Sequence, residues 1–253
     1  MEKLQIYLED ILKSKSLTMD AKNYYWIENN QFNKIVKPNK LESKFYKVFL
    51  KLIEEAYNEV GTIKLNGINY PNQLFYLGDC YLGTSSLYLD GYKDIDSVIY
   101  DLSYSEKIDI LKKYSLVLKS LHNNGFAHND LKSGNNVMVK NGDVQVIDFE
   151  FIRKITGCSS FENRTLKIIN TSFGDYIDLM TYITNIITVK NENGTVHVPC
   201  GLPKEIIKEY KAFIEAYTHW HDYRIIKKIP TSYPDEWLDE LKCYSYVDKR
   251  FQK

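Results

Sequence analysis

Arginine is close to absent. Only Arg153, Arg164, Arg224 and Arg250 stand among the 33 basic residues, so the planar fork that grips phosphate in two contacts is scarce. Neither sign of charge is in excess. Lys and Arg number 33, as do Asp and Glu, which leaves no global field to draw nucleic acid or an anionic membrane. Cysteine is sparse as well: Cys80, Cys158, Cys200 and Cys243 lie far apart with no C-x-x-C pair. That argues against a disulfide framework or a zinc site and for reduced thiols in a cytoplasmic setting. No window reaches the uncharged apolar length of a membrane span. The opening MEKLQIYLEDILKSKS breaks its apolar residues with Glu9, Asp10 and Lys13, and reads as an amphipathic helix instead of a signal peptide. The first glycine is Gly61, so no glycine-rich phosphate loop can precede it.

Two further features exclude more than they offer. His219-Trp220-His221 would be alternate residues on a helix, which do not share a face, so a metal pair is not expected there. The 21 tyrosines form no base-stacking pattern, and nucleic acid is not expected as a partner.

The chain's 253 residues, 44% of them hydrophobic, suffice for one large domain or two small lobes. YYWIENNQFNKIVKP, Tyr24 to Pro38, predicts two strands about a turn at Asn29-Asn30. A helix is predicted from about Leu41 to Asn58, with Leu41, Phe45, Val48, Phe49, Leu52 and Ala56 on its apolar face. Gln73 to Tyr81 and Ser85 to Tyr92 predict paired strands with a turn at Gly83. From Ser103 the pattern is helical, with Ile108, Leu111, Tyr114, Leu118 and Leu121 on a stripe and Gly125 at the end. After Asp175 it is mostly helical again, with loops near Asn191 to Pro203 and Ile229 to Pro234. The strand-rich and helical halves meet near Asp90 to Asp94. There is no internal repeat and no low-complexity linker.

The informative stretch is FAHNDLKSGNNVMVKNGDVQVIDFEF, Phe126 to Phe151. VMV and VQVI flank Lys140-Asn141-Gly142-Asp143, and Asn-Gly between apolar strands signals a hairpin. A hairpin joins its own ends, so Asp148 should return beside Asn135 and Asp130. Two carboxylates and an amide oxygen converging there can hold Mg²⁺, which prefers oxygen ligands. Phosphoryl transfer needs mainly positioning and charge neutralisation, which such a site supplies.

His128-Asn129-Asp130-Leu131-Lys132-Ser133-Gly134-Asn135 resembles the protein-kinase catalytic loop H-R-D-L-x-x-x-N. Ile147-Asp148-Phe149-Glu150 resembles the D-F-G metal motif with Glu150 in place of glycine, and the step from Asn135 to Asp148 is similar to the family's spacing. The resemblance is strong over Phe126 to Phe151 and weak across the rest of Tyr24 to Met180. It implies an α+β, bilobal kinase-like fold, with a reduced strand-rich lobe (1–90) and a helical lobe (91–253). Asp130 would orient the acceptor hydroxyl, Lys132 would lie near the transferring phosphate, and Asn135 and Asp148 would hold Mg²⁺. His128 would pack and hydrogen-bond. Ile35-Val36-Lys37 resembles the V-A-I-K strand, so Lys37 would grip the α- and β-phosphates of ATP. Glu42 falls at the edge of the apolar face and would pair with Lys37, although Asn39-x-x-Glu42 also reads as a capping box. ATP would sit near Leu89 to Tyr92, including Asp90 and Tyr92. Asp175 resembles the aspartate that braces the catalytic loop, and could also be an N-cap.

Departures accompany the resemblance. No G-x-G-x-x-G precedes Lys37, and no A-P-E follows Asp148. Asn129 replaces the arginine that answers a phosphorylated activation loop, so control through Thr165, Thr171 or Ser172 is not expected. The pared-down pattern resembles kinases of bacterial effectors and viruses, which act on proteins of a host cell. The expected activity is transfer of the ATP γ-phosphoryl to a protein serine or threonine by a monomer. The rivals are a small-molecule kinase resembling aminoglycoside or sugar phosphotransferases, which Lys132 opposes, and an inactive pseudokinase acting as a binding module.

Overall fold

The computed structural model describes residues 2–6, 9, 11, 13, 17–61, 63–131 and 134–155, and beyond them 175, 179, 182–183, 189–190, 196–197, 234–236 and 238–239. The architecture is mixed α/β. A six-stranded sheet runs in the order β1-β5-β6-β4-β3-β2. Its strands are β1 (Glu2–Gln5), β2 (Thr18–Met19), β3 (Asn23–Glu28), β4 (Gln31–Val36), β5 (Pro71–Leu77) and β6 (Cys80–Leu87). All pairings are antiparallel except β1 on β5. Residues 2–5, expected as helix, thus form an edge strand, while Glu9 and Ile11 are helical. Among the described residues, no helix is long and apolar enough to cross a membrane.

The β3–β4 turn forms where expected. Asn29 and Asn30 take φ of 50° and 61°, the left-handed pair that a two-residue hairpin needs and that asparagine tolerates. Gly83 is no turn. It lies inside β6, opposite Ile35 on one side and Phe75 on the other. A Cβ there would come 2.0 Å from the Lys34 carbonyl oxygen, so the residue permits close strand approach. The turn is instead at Gly78-Asp79, with Gly78 at φ 60°.

Helix α1 (Lys44–Val60) connects β4 to β5 and starts on Ser43, whose side chain accepts from Tyr46 N. Asn39 and Glu42 belong to a preceding 3₁₀ turn, Pro38–Glu42, and form no capping box with α1. The buried face of α1 is Leu50, Ile53, Tyr57 and Val60. Phe45, Val48 and Leu52 of the expected face are exposed, Phe45 by 80%. Leu41, Phe49 and Ala56 of that face do pack against the core, so the expected stripe is offset to one edge of the buried one.

After Leu87 come β7 (Lys93–Asp94), a short helix α2 (Ile95–Val98) and the long α3 (Tyr104–Asn123). Ser103 and Glu106 close a reciprocal cap at the start of α3. Each exchanges side-chain and backbone bonds with the other, which satisfies donors the first turn leaves free. All five residues of the expected stripe are buried, and Gly125 has φ 82°. The hairpin β9 (Val137–Lys140) and β10 (Asp143–Val146) turns on Asn141 and Gly142 at φ 50° and 75°. It packs on α3, and β7 extends it to three strands. β8 (Phe126–Ala127) pairs with β11 (Arg153–Lys154), and β12 (Val189–Lys190) with β13 (Val196–His197).

Candidate functional site

β8 and β11 bring the two ends of the Phe126–Phe151 stretch together, and a buried acid fixes the first of them. Asp175, fully buried and helical, accepts from His128 N at 2.6 Å, Asn129 N at 2.7 Å and His122 Nε2 at 3.0 Å. Two backbone amides that a loop would otherwise leave unpaired are thereby satisfied. Asn129 takes φ 65° and its amide nitrogen donates to Ala127 O and Phe151 O. It staples the loop to the segment after Asp148. His128 is buried, packs 4.8 Å from the Phe149 ring, and has Nε2 2.8 Å from Ile147 O. Its Nδ1 accepts from Asp130 N. A carbonyl can only accept, so Nε2 is the donor in its bond to Ile147 O.

Asp148 lines the resulting hollow, and Asp130 lies close enough to act on Glu150. The Asn136 side-chain nitrogen donates to Asp130 O at 2.6 Å and reaches Asp130 Oδ2 at 3.4 Å. Asn136 is buried, whereas Asn135 is exposed. The amide brought to Asp130 is therefore Asn136 and not the expected Asn135; the doublet Asn135-Asn136 shifts the register by one. Asp148 has φ 60° and ψ 69°, a left-handed backbone that costs energy outside glycine and recurs at functional sites.

Lys34 stands across from Asp148. Its Nζ lies 3.2 and 3.1 Å from the two Asp148 oxygens and 2.6 Å from Glu150 Oε1. Burial, the strongest single influence, pulls the ammonium down; Asp148 and Glu150 outweigh it and hold Lys34 well above the ordinary lysine value. Burial and then Asp148 push Glu150 up, with Lys34 opposing and Asp130 adding to the rise.

The expected pair Lys37 and Glu42 does not form among the described residues. Lys37 follows the end of β4, with Nζ 3.6 Å from Met19 Sδ and 5.2 Å from the Tyr24 ring centre. Glu42 is exposed. Side chains alternate along a strand, so residues three apart face opposite sides. The fully buried Ile35 marks the face away from the cleft, and Lys34 takes the other.

Lys34 and Asp148 line a cleft of about 400 Å³, within the range of small-molecule sites. Tyr25, Phe32, Thr84, Ser86 and Leu87 of the sheet, Met138 and Ile147 of the hairpin region, and the connector Tyr88, Leu89 and Tyr92 complete much of its wall. Tyr92 stands on this wall, and its hydroxyl donates to Asp143 at 2.5 Å. Asp90 is exposed and outside the lining, and its carbonyl accepts from Lys140 at 2.7 Å. Lys132, Thr165, Thr171, Ser172 and His219 to His221 lie outside the described residues.

Asp148 and Glu150 both face the one ammonium of Lys34, and Asp130 lies close enough to act on Glu150, so carboxylates outnumber ammonium groups here. Among the described residues no three His, Cys, Asp or Glu are placed to hold a metal by themselves. Mg²⁺ is commonly held by one or two carboxylates, with phosphate and water filling the octahedron, so this site fits it. No protein-family model matches the chain, and no curated protein matches it significantly.

Proposed function

We propose that the chain is a Mg²⁺-ATP-dependent phosphotransferase with a compact bilobal kinase-like fold, acting on serine or threonine hydroxyls of a protein. The observation that carries the reading is the Lys34–Asp148 ion pair at the wall of the cleft, beside Asp130 and Asn136. A nucleotide base would lie between Phe32, Met138 and the connector up to Tyr92, which line the cleft. Lys34 would take the α- and β-phosphates in place of Lys37. Asp148 and the Asn136 oxygen would hold Mg²⁺, which neutralises phosphate charge when bound. Asp130, kept in place by Asn136 and His128, would orient the acceptor hydroxyl and receive its proton, an effect of about 10²–10⁴-fold in rate. Lys132 supports a protein acceptor through the catalytic-loop resemblance. A cytoplasmic monomer, delivered into or made in a host cell, accords with this reading.

The test is purified protein with γ-labelled ATP and Mg²⁺, with and without a mixed protein extract, and Asp148→Ala alongside. The expected result is labelled protein that the variant fails to produce. Nucleotide binding without protein label would move the acceptor to a small molecule. Neither label nor binding would overturn the reading.

A further inference from the structure

A phosphate-gripping lysine must itself be held, and in the resemblance a helix glutamate holds it. Helix α1 carries Glu54, Glu55 and Glu59. Glu54 accepts from Tyr76 OH at 2.5 Å and from Lys3 at 3.4 Å. Glu59 pairs with Lys154 at 2.8 Å, and Glu55 is exposed. The residue that α1 sends to the cleft wall is Tyr57, with no charge to offer Lys34. Among the described residues, the short contact to Lys34 comes from Glu150 at 2.6 Å.

We infer that Glu150 is the positioning residue that aims Lys34 at the nucleotide phosphates, in place of a glutamate on α1. This rests on the phosphotransferase reading above. The donors of Lys34 divide accordingly. An ammonium has three N–H groups, and Lys34 spends them on two Asp148 oxygens and one Glu150 oxygen. A cation held by Asp148 would engage those oxygens and leave Lys34 donors for phosphate, while Glu150 would keep the ammonium in place. The lysine's anchor and the metal carboxylate then belong to one turn, Asp148 to Phe151. That turn is fixed by His128 and Tyr70 on Phe149, by Phe49 on Phe151 and by the Asn129 bond to Phe151 O. The phosphate grip therefore assembles without a swing of α1 to deliver a carboxylate.

Binding by the full chain separates this from the parent reading. Calorimetry would compare Mg²⁺-ATP with adenosine on wild type, Glu150→Gln, Glu150→Asp, Glu54→Gln, Lys34→Met and the Lys34→Met/Glu150→Gln double variant, with melting curves to establish folding. Glu150→Gln is expected to weaken ATP about tenfold, the scale of one charge-assisted hydrogen bond, and to leave adenosine unchanged. Glu150→Asp should recover part of the loss. Glu54→Gln should bind as wild type, and Glu150→Gln should add nothing once Lys34 is gone. Wild-type ATP affinity in Glu150→Gln, an equal loss for adenosine, or additive losses in the double variant would overturn the inference while the nucleotide site stands. A wild type that binds no ATP would overturn the parent reading and this inference together.

Discussion

Lys34 and Lys37 differ in parity, and parity decides which face of β4 each serves. Lys34→Met is expected to lower phosphoryl transfer by about 10²–10³-fold, the cost of losing one preorganised charge donor. Lys37→Met should stay close to wild type in the same labelled-ATP assay, since Lys37 meets Met19 and Tyr24 outside the cleft. Ile35-Val36-Lys37 resembles V-A-I-K and so singled out Lys37, whereas Lys34 follows the polar Asn33; a shift by an odd number of residues along a strand exchanges faces. The Asn135-Asn136 doublet hid which of the two amides meets Asp130. A second prediction concerns Asp20, in the turn between β2 and β3. Burial pushes its carboxyl up, but the Tyr25 hydroxyl and the Lys22 and Asn23 amides pull it well below the ordinary 3.8. A depressed folded value gives stability that is present above the unfolded value and lost as pH falls toward the folded one. The difference in Tm between wild type and Asp20→Ala should therefore be full at neutral pH and close as pH drops below 3.8.

At the scale of elements, turn chemistry made some features legible and burial made others illegible. Asn29-Asn30 and Asn141-Gly142 act through neighbours in sequence, so they can be read directly. The buried face of α1 is set by the sheet and core it meets, and that mistaken face also singled out Glu42. Substitutions distinguish the two faces. Ile53→Ala should cost about 2–5 kcal/mol through the cavity it opens. Val48→Ala should stay within about 0.5 kcal/mol, because Val48 is 61% exposed. Denaturant unfolding measures both. Gly83 carries a stronger test. A methyl group there must displace the Lys34 carbonyl and the Ile35 Cα, moving the strand that aims Lys34. Gly83→Ala should therefore lower both the unfolding midpoint and the affinity for Mg²⁺-ATP, while Gly78→Ala, with open space around it, should leave nucleotide affinity unchanged.

Across the whole molecule, the candidate site joins what a hairpin closes locally to what the sheet delivers from afar. Asp130 and Asn136 meet within one short stretch, and Asp148 follows the hairpin turned on Asn141-Gly142; the hairpin was legible in the sequence, and the choice of Asn136 over Asn135 was not. Lys34 reaches Asp148 from 114 residues away, and no local signal encodes that meeting. The cleft wall likewise draws on β3, β4, β6, the connector and the hairpin region. A ligand that bridges these parts binds the folded chain and not the unfolded one, so it must stabilise the whole by mass action. Mg²⁺-ATP at a hundredfold excess over its Kd is worth about 2.7 kcal/mol, or roughly 5–10 °C in Tm for a chain of this size. Asp148→Ala should lose most of the shift given by Mg²⁺-ATP yet keep the smaller one given by adenosine, because the base would touch the connector side of the cleft and not the metal turn. Equal shifts in both proteins would place nucleotide binding away from Asp148.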